Sequence, residues 1–151
     1  MTKPDDLSPR ILEALYSEGL LLSDEVRNIF RLNDNTCDDP EDLSRIALSC
    51  EALRATTRMM QAIAWLLNHR AFFRGEISEF QLRRHPRLQS GYPVGDARRV
   101  ALLPDDARLL VETTERFHAR LARLDQHWRD HPPARDPDVH RMQRELGLIV
   151  R

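Results

Sequence analysis

Two sets of residues in this chain have types and spacings that could do chemistry. His127 and His131 stand four apart, so on a helix they share one face, as a two-histidine metal pair would. The stretch between them is HWRDH, without the glutamate of the HExxH zinc signature, and Asp130 does not share their face. Solvated histidines at a helix end are the simpler reading. The second set is Glu51, Arg54, Thr57 and Arg58, packed into about two helical turns. A guanidinium facing a core is costly unless paired, and an earlier helix offers Glu13, Glu18, Asp24 and Glu25 as partners. An ion-pair network between two helices is the plainest reading, and a site for an anionic ligand or acidic partner is the functional alternative. His69, beside Arg70, and His118, one turn from Leu121, are expected to do no more than cover their helices. No serine, histidine and acid are spaced as a nucleophilic triad. QSGYPVGD, residues 89–96, lacks the lysine of a phosphate-binding loop.

The wider chain narrows these readings. Its 151 residues suit one domain with a real core, and 41% hydrophobic against 31% charged residues means that most of it should fold. The net charge is only -1, but residues 1–42 sum to -7, residues 43–75 to +4 and residues 116–151 to +3. Pairing within the chain, or an acidic face offered to a basic partner, are the two explanations. All the basic residues but Lys3 are arginines, and Arg83, Arg84, Arg87, Arg98 and Arg99 are diluted by Glu76, Glu79 and Asp96. Nucleic acid is therefore not an expected partner. Cys37 and Cys50 form no disulfide framework or metal spacing, so no cofactor or metal is expected. No signal peptide or run of 18 apolar residues occurs, which points to a soluble cytoplasmic protein without membrane contact.

Three long helices must position these residues. The first is expected over residues 8–32, capped by Ser8 with Pro9 at its first position, with Leu12, Leu15, Leu22, Val26 and Ile29 as its apolar stripe. Ile11, Leu21 and Phe30 widen that stripe, and Gly19 within it could permit close helix approach. The second spans residues 40–74, starting at Asp39 and Pro40 with Asp42 in its first turn and stopping at Gly75. Its packing seam is read as Leu43, Ile46, Cys50, Leu53, Thr57, Met60, Ala64, Leu67 and Ala71, widened by Ala52, Thr56, Ile63, Leu66 and Phe73. The arc from Met59 to Phe73 is broader than one neighbouring helix needs, so two neighbours, or one neighbour and a second subunit, are expected against it. Residues 75–103 lose periodicity, with two turns after Ser78 as their one helical signal. The third helix spans residues 104–131 on a stripe of Leu109 or Leu110, Thr113, Phe117, Leu121, Leu124 and Trp128, and residues 132–151 form a coda with a short helix. The fold class is all-α: a three-helix bundle with a long central helix, in one domain over residues 1–151.

The central segment EALRATTRMMQAIAWLLNHRA, residues 51–71, resembles the signature of the RcdA family, regulators of CtrA degradation from alphaproteobacteria. LYSEGLLLSDEV at residues 15–26 and ERFHARLARLD at residues 115–125 are similar to that family's first and last motifs, so the resemblance covers all three helices. It implies a homodimer of three-helix bundles without catalytic residues. It further implies an adaptor that helps deliver cell-cycle regulators to the ClpXP protease, with a response regulator and a cyclic-di-GMP effector as partners. Glu51, Arg54, Thr57, Arg58, Gln61, Trp65 and Arg70 match the signature and are the candidate residues for partner contact or an inter-helix polar network. The irregular segment and the coda RMQRELGLIVR are where the chain departs from the family pattern. A small dimeric helical enzyme gripping an anionic metabolite through clustered arginines, or a purely structural interaction protein, are the alternatives.

Overall fold

The computed structural model of the chain describes residues 7–34, 42–89 and 94–131. These form five α-helices in one bundle: α1 (Pro9–Asp34), α2 (Leu43–Phe73), α3 (Glu79–Arg84), α4 (Ala97–Val100) and α5 (Asp105–Asp130). The three expected long helices are present, and two short ones punctuate the irregular segment. The coda, Cys37 and the start signals Asp39 and Pro40 lie outside the described residues.

Each boundary has a local cause. Ser8 Oγ accepts from the Ile11 amide at 3.3 Å, ahead of Pro9. Asp42 is the N-cap of α2 rather than a first-turn residue: its backbone is extended and its carboxylate accepts from the Ser44 amide at 3.0 Å. The other end of α2 closes on Gly75, whose φ of 75° is a conformation glycine adopts without strain. Its amide returns to Phe72 O at 3.0 Å and that of Glu76 to Ala71 O at 2.9 Å, the paired bonds of a Schellman stop. Ser78 and Gln81 form a reciprocal capping box on α3, the two turns the sequence signals. Asp96 caps α4 through the Arg98 and Arg99 amides, and the Arg99 bond is the main cause holding its carboxyl below the usual range.

At 31 residues α2 is about 45 Å long, and it contacts each of the other four helices. Leu12, Leu15, Leu22, Val26 and Phe30 of α1 pack on Leu48, Met59 and Leu66 of α2 and on Leu110, Phe117 and Leu121 of α5. The stripe of α1 is therefore largely as read, except that Ile11 and Leu21 face out. In α5 Leu110 is buried and Leu109 is exposed. Gly19 lies where a Cβ would sit 3.0 Å from Ile63 Cδ1 and 3.3 Å from Phe117 Cζ, so it permits α1 to approach both long helices closely.

The main line of the seam expected for α2 is reversed, whereas of the residues expected to widen it Leu66 is buried and Ala52 and Ile63 pack against the core. Its buried residues are Ala47, Leu48, Glu51, Ala55, Arg58, Met59, Ala62, Trp65, Leu66 and His69. Leu43, Leu53 and Met60, which head the apolar stripe, are 70%, 69% and 67% exposed, and Ile46 and Leu67 are exposed with them. The reason is that α2 packs through three alanines, Leu48, Met59, Trp65 and Leu66 together with the polar residues Glu51, Arg58 and His69. Its most apolar line is left outside.

Candidate functional site

The inward polar residues of α2 build two clasps, each holding part of the 75–103 segment against the bundle. The first centres on Arg58, which is 1% exposed. Arg58 Nη1 donates to Thr114 Oγ1 at 2.7 Å and Nη2 to Glu115 Oε1 at 3.3 Å, both on α5. Glu51, 0% exposed, lies two turns earlier, with Arg54 Nη1 3.7 Å from its Oε1. These groups then seize the backbone before α4. The Gly95 amide donates to Glu115 Oε1 at 2.6 Å, the Asp96 amide donates to Glu51 Oε1 at 3.1 Å, and Arg54 Nη1 donates to Val94 O at 3.0 Å. Gly95 has a reason to be glycine, since a Cβ there would meet Glu115 Oε1 at 3.0 Å and Glu51 Oε2 at 3.1 Å.

The electrostatics of this clasp explain its composition. Two carboxylates converge on one loop, and two guanidiniums and two amides compensate them. Burial pushes the Arg58 guanidinium below its ordinary pKa, while Glu115 and Glu51 push it back up. His118 is buried nearby, and both desolvation and the charge of Arg58 lower its pKa, so it sits neutral.

The second clasp centres on Asp125 of α5, which is 1% exposed. One oxygen accepts from Trp65 Nε1 at 3.0 Å and the other from the Leu88 amide at 3.1 Å. Arg129 Nε lies 3.1 Å from both oxygens, and its Nη2 donates to His85 O at 3.0 Å. A single carboxylate thus joins α2, α5 and the irregular stretch 85–89. His69 stacks on Trp65 with 3.9 Å between ring centroids and meets the edge of Trp128 at 5.2 Å.

The seven candidate residues therefore divide among separate places. Glu51, Arg54 and Arg58 meet in the first clasp. Trp65 belongs to the second, and it lines a neighbouring cleft together with Gln61. Thr57 lies on the outer line of α2, its hydroxyl donating to Leu53 O at 2.9 Å. Arg70 bridges to α1, with Nε on Glu13 Oε1 at 2.7 Å and its guanidinium 4.1 Å from the Tyr16 ring centre.

The expected partnership of Arg54 and Arg58 with α1 is not what forms. Their side chains lie on the flank of α2 that meets α4 and α5, so their carboxylates come from Glu51 and Glu115. Glu13 and Glu18 of α1 pair instead with Arg70 and Arg120. Thr114, Glu115, Asp125, His69 and His118 were not singled out as site residues by the sequence. A usable signal existed: Thr114, His118, Leu121 and Asp125 recur at helical spacing, a core-facing line that is mostly polar.

His127 and His131 do stack, with ring centroids 4.5 Å apart, and His131 Nδ1 lies 3.2 Å from His127 O, its own helix backbone. Among the described residues no three His, Cys, Asp or Glu side chains group to hold a metal ion, and no helix is long and apolar enough to cross a membrane.

Fold and clasps together define a small all-α domain whose short helices are tied to a long central one by buried polar groups. Over residues 3–149 the chain matches the family described as "Protein of unknown function (DUF1465)", and it belongs to that family. No curated protein and no solved structure matches it.

Proposed function

We propose that this protein is a non-enzymatic, homodimeric interaction module of the cytoplasm that works as an adaptor in regulated proteolysis. The observation that carries the dimer is the outer line of α2. Leu43, Ile46, Cys50, Leu53, Thr57, Met60, Ala64, Leu67 and Ala71 alternate spacings of three and four without a break, a heptad repeat on a face that no described element covers. After Leu43 the residues alternate large and small. Ile46, Leu53, Met60 and Leu67 take one heptad position, and Cys50, Thr57, Ala64 and Ala71 take the other. Two antiparallel copies of α2 place one position opposite the other. Leu53 then faces the second copy's Ala64, Met60 its Thr57, Leu67 its Cys50 and Ile46 its Ala71. Each contact pairs a large side chain with a small one, which keeps the inter-helix distance constant. A groove of about 270 Å³ beside Met60, walled by Val26, Met59 and Ile63, offers room for a further apolar side chain.

The adaptor role rests on the RcdA-like signature. That resemblance names the ClpXP protease, a response regulator and a cyclic-di-GMP effector as the partners to seek.

Leu67→Cys in a Cys37→Ser background, oxidised under mild conditions, should give a disulfide-linked dimer through the native Cys50. Exposed Leu53→Glu with Met60→Glu should sediment as a folded monomer. Crosslinked capture from the native lysate should recover protease or response-regulator components with the wild-type chain. Recovery of neither would remove the adaptor role, and a monomeric wild type in sedimentation would remove the pairing.

A further inference from the structure

Arg54 stands at the border between the first clasp and the outer face of α2. Its Nη1 makes both of its contacts, donating to Val94 O at 3.0 Å and lying 3.7 Å from Glu51 Oε1. The side chain is 35% exposed, and its Nη2 and Nε donors bond to no described residue. Gln61, two turns on, is half-buried on the same flank, where it lines the cleft beside Trp65. Its carboxamide likewise bonds to no described residue.

The antiparallel pairing of α2 proposed above brings these two groups together, and the link between them rests on that reading. With Leu53 facing the second copy's Ala64 and Met60 its Thr57, the two-fold axis crosses α2 between Arg58 and Met59. Arg54 is then level with the second copy's Ile63, and that copy's Gln61 lies two residues away along the axis, about 3 Å. Arg54 and Gln61 each follow a residue of the large heptad position by one, so both leave α2 on one flank. Antiparallel helices meet like flank against like flank. An arginine and a glutamine together span the gap between flanking positions of helices about 8–10 Å apart. A parallel pair would instead set Arg54 against Ser49, on the opposite flank.

We propose that a second copy of this chain completes the first clasp. The Arg54 guanidinium donates to the side-chain carbonyl of the second copy's Gln61, and symmetry makes the bond twice. Gln61 thereby fixes the orientation of the pair. The same guanidinium holds Val94 O, so pairing is coupled to the 94–96 segment. An Arg54 anchored across the interface keeps that carbonyl in place, and with it the Gly95 and Asp96 amides on Glu115 and Glu51. By linkage, closing the segment tightens the pair by the same factor.

Sedimentation equilibrium on the full-length chain gives the dissociation constant for wild type, Gln61→Ala, Arg54→Ala and the double variant. Gln61→Ala removes no bond among the described residues, so it should fold normally and weaken the pair about tenfold, the effect of two modest hydrogen bonds. Adding it to Arg54→Ala should cost no further affinity, because the bond is already gone. Gln61→Glu should tighten the pair and make it weaken with salt, an ionised acceptor having replaced a neutral one.

Hydrogen exchange separates coupling from mere contact. The Gly95 and Asp96 amides should exchange more slowly in the dimer than in the Leu53→Glu, Met60→Glu monomer. The Leu88 amide, held by Asp125 in the second clasp, should not change. In Gln61→Ala, at concentrations that keep it dimeric, the Gly95 and Asp96 amides should exchange as fast as in the monomer. A monomeric wild type would remove the pairing and this link together. With a dimeric wild type, three results would each overturn the link alone. These are a dissociation constant changed by less than about twofold in Gln61→Ala, single losses that multiply in the double variant, and equal exchange at 95–96 in dimer and monomer.

Discussion

The two faces of α2 reverse the usual relation between polarity and burial. The inner face encloses Glu51, Arg58 and His69, while the outer face leaves Leu43, Leu53 and Met60 in solvent. Glu51 and Arg58 are tolerable because α5 and the backbone of Gly95 and Asp96 supply partners to their clasp, and those partners are held in place in return. The outer apolar groups have no such company among the described residues. The lesson is that the buried face of a long helix is the one whose groups find complements in its own chain, whatever its hydropathy.

The largest test of that contrast is Glu51→Ala. It leaves Arg58 short of one compensating charge and releases the Asp96 amide, and breaking buried pairs of this kind costs about 3–5 kcal/mol. Urea unfolding should show that loss, and a change within 0.5 kcal/mol would mean the clasp is not closed in solution. For the same reason an Arg58→Glu variant reports on folding rather than on partner contact.

Asp125→Ala should cost about 3 kcal/mol, since the Trp65 indole, the Leu88 amide and Arg129 all lose their acceptor. Amide exchange should accelerate across 85–89 before it does in α1. Gly95→Ala should cost about 1–3 kcal/mol by crowding Glu115 and Glu51, with faster exchange confined to 94–103. Uniform exchange in that variant would argue against a local latch.

The pH dependence has a definite sign. His69 and His118 have folded pKa values below the unfolded 6.5, so the unfolded chain binds more protons as pH falls through that value. Their contribution is complete above about pH 7 and is lost on acidification, so the urea midpoint should be lower at pH 5.5 than at 7.5. His69→Phe combined with His118→Asn should flatten that slope. At the small end stand the outer residues. Leu53→Glu with Met60→Glu should leave monomer stability within about 0.5 kcal/mol while abolishing association.

Much of this was legible beforehand. Start and stop signals placed the three long helices within a few residues, because Ser8, Pro104 and Gly75 act on amides and carbonyls close by in the chain. The α3 capping box was readable for the same reason. Glu51, Arg54 and Arg58 were recognisable as a polar cluster, since an uncompensated guanidinium near a core demands carboxylates. Their partners were not recognisable: Thr114 and Glu115 lie some 57 residues on, and nothing local in the chain pairs them with α2. Gly95 shows the same limit, because its need for a missing Cβ arises only once two carboxylates close on it.

The sequence by itself determined the all-α class, the presence of a long central helix and the heptad spacing of an apolar line. Each follows from periodicity and short-range hydrogen bonding. Only the tertiary structure decided which side of α2 faces in. A helix with apolar residues over a wide arc can satisfy hydropathy in more than one rotation. The choice fell to long-range complements: Thr114, Glu115 and Asp125 on α5, and the backbone amides of Leu88, Gly95 and Asp96. These turn the polar line inward and leave the apolar line to whatever the protein meets.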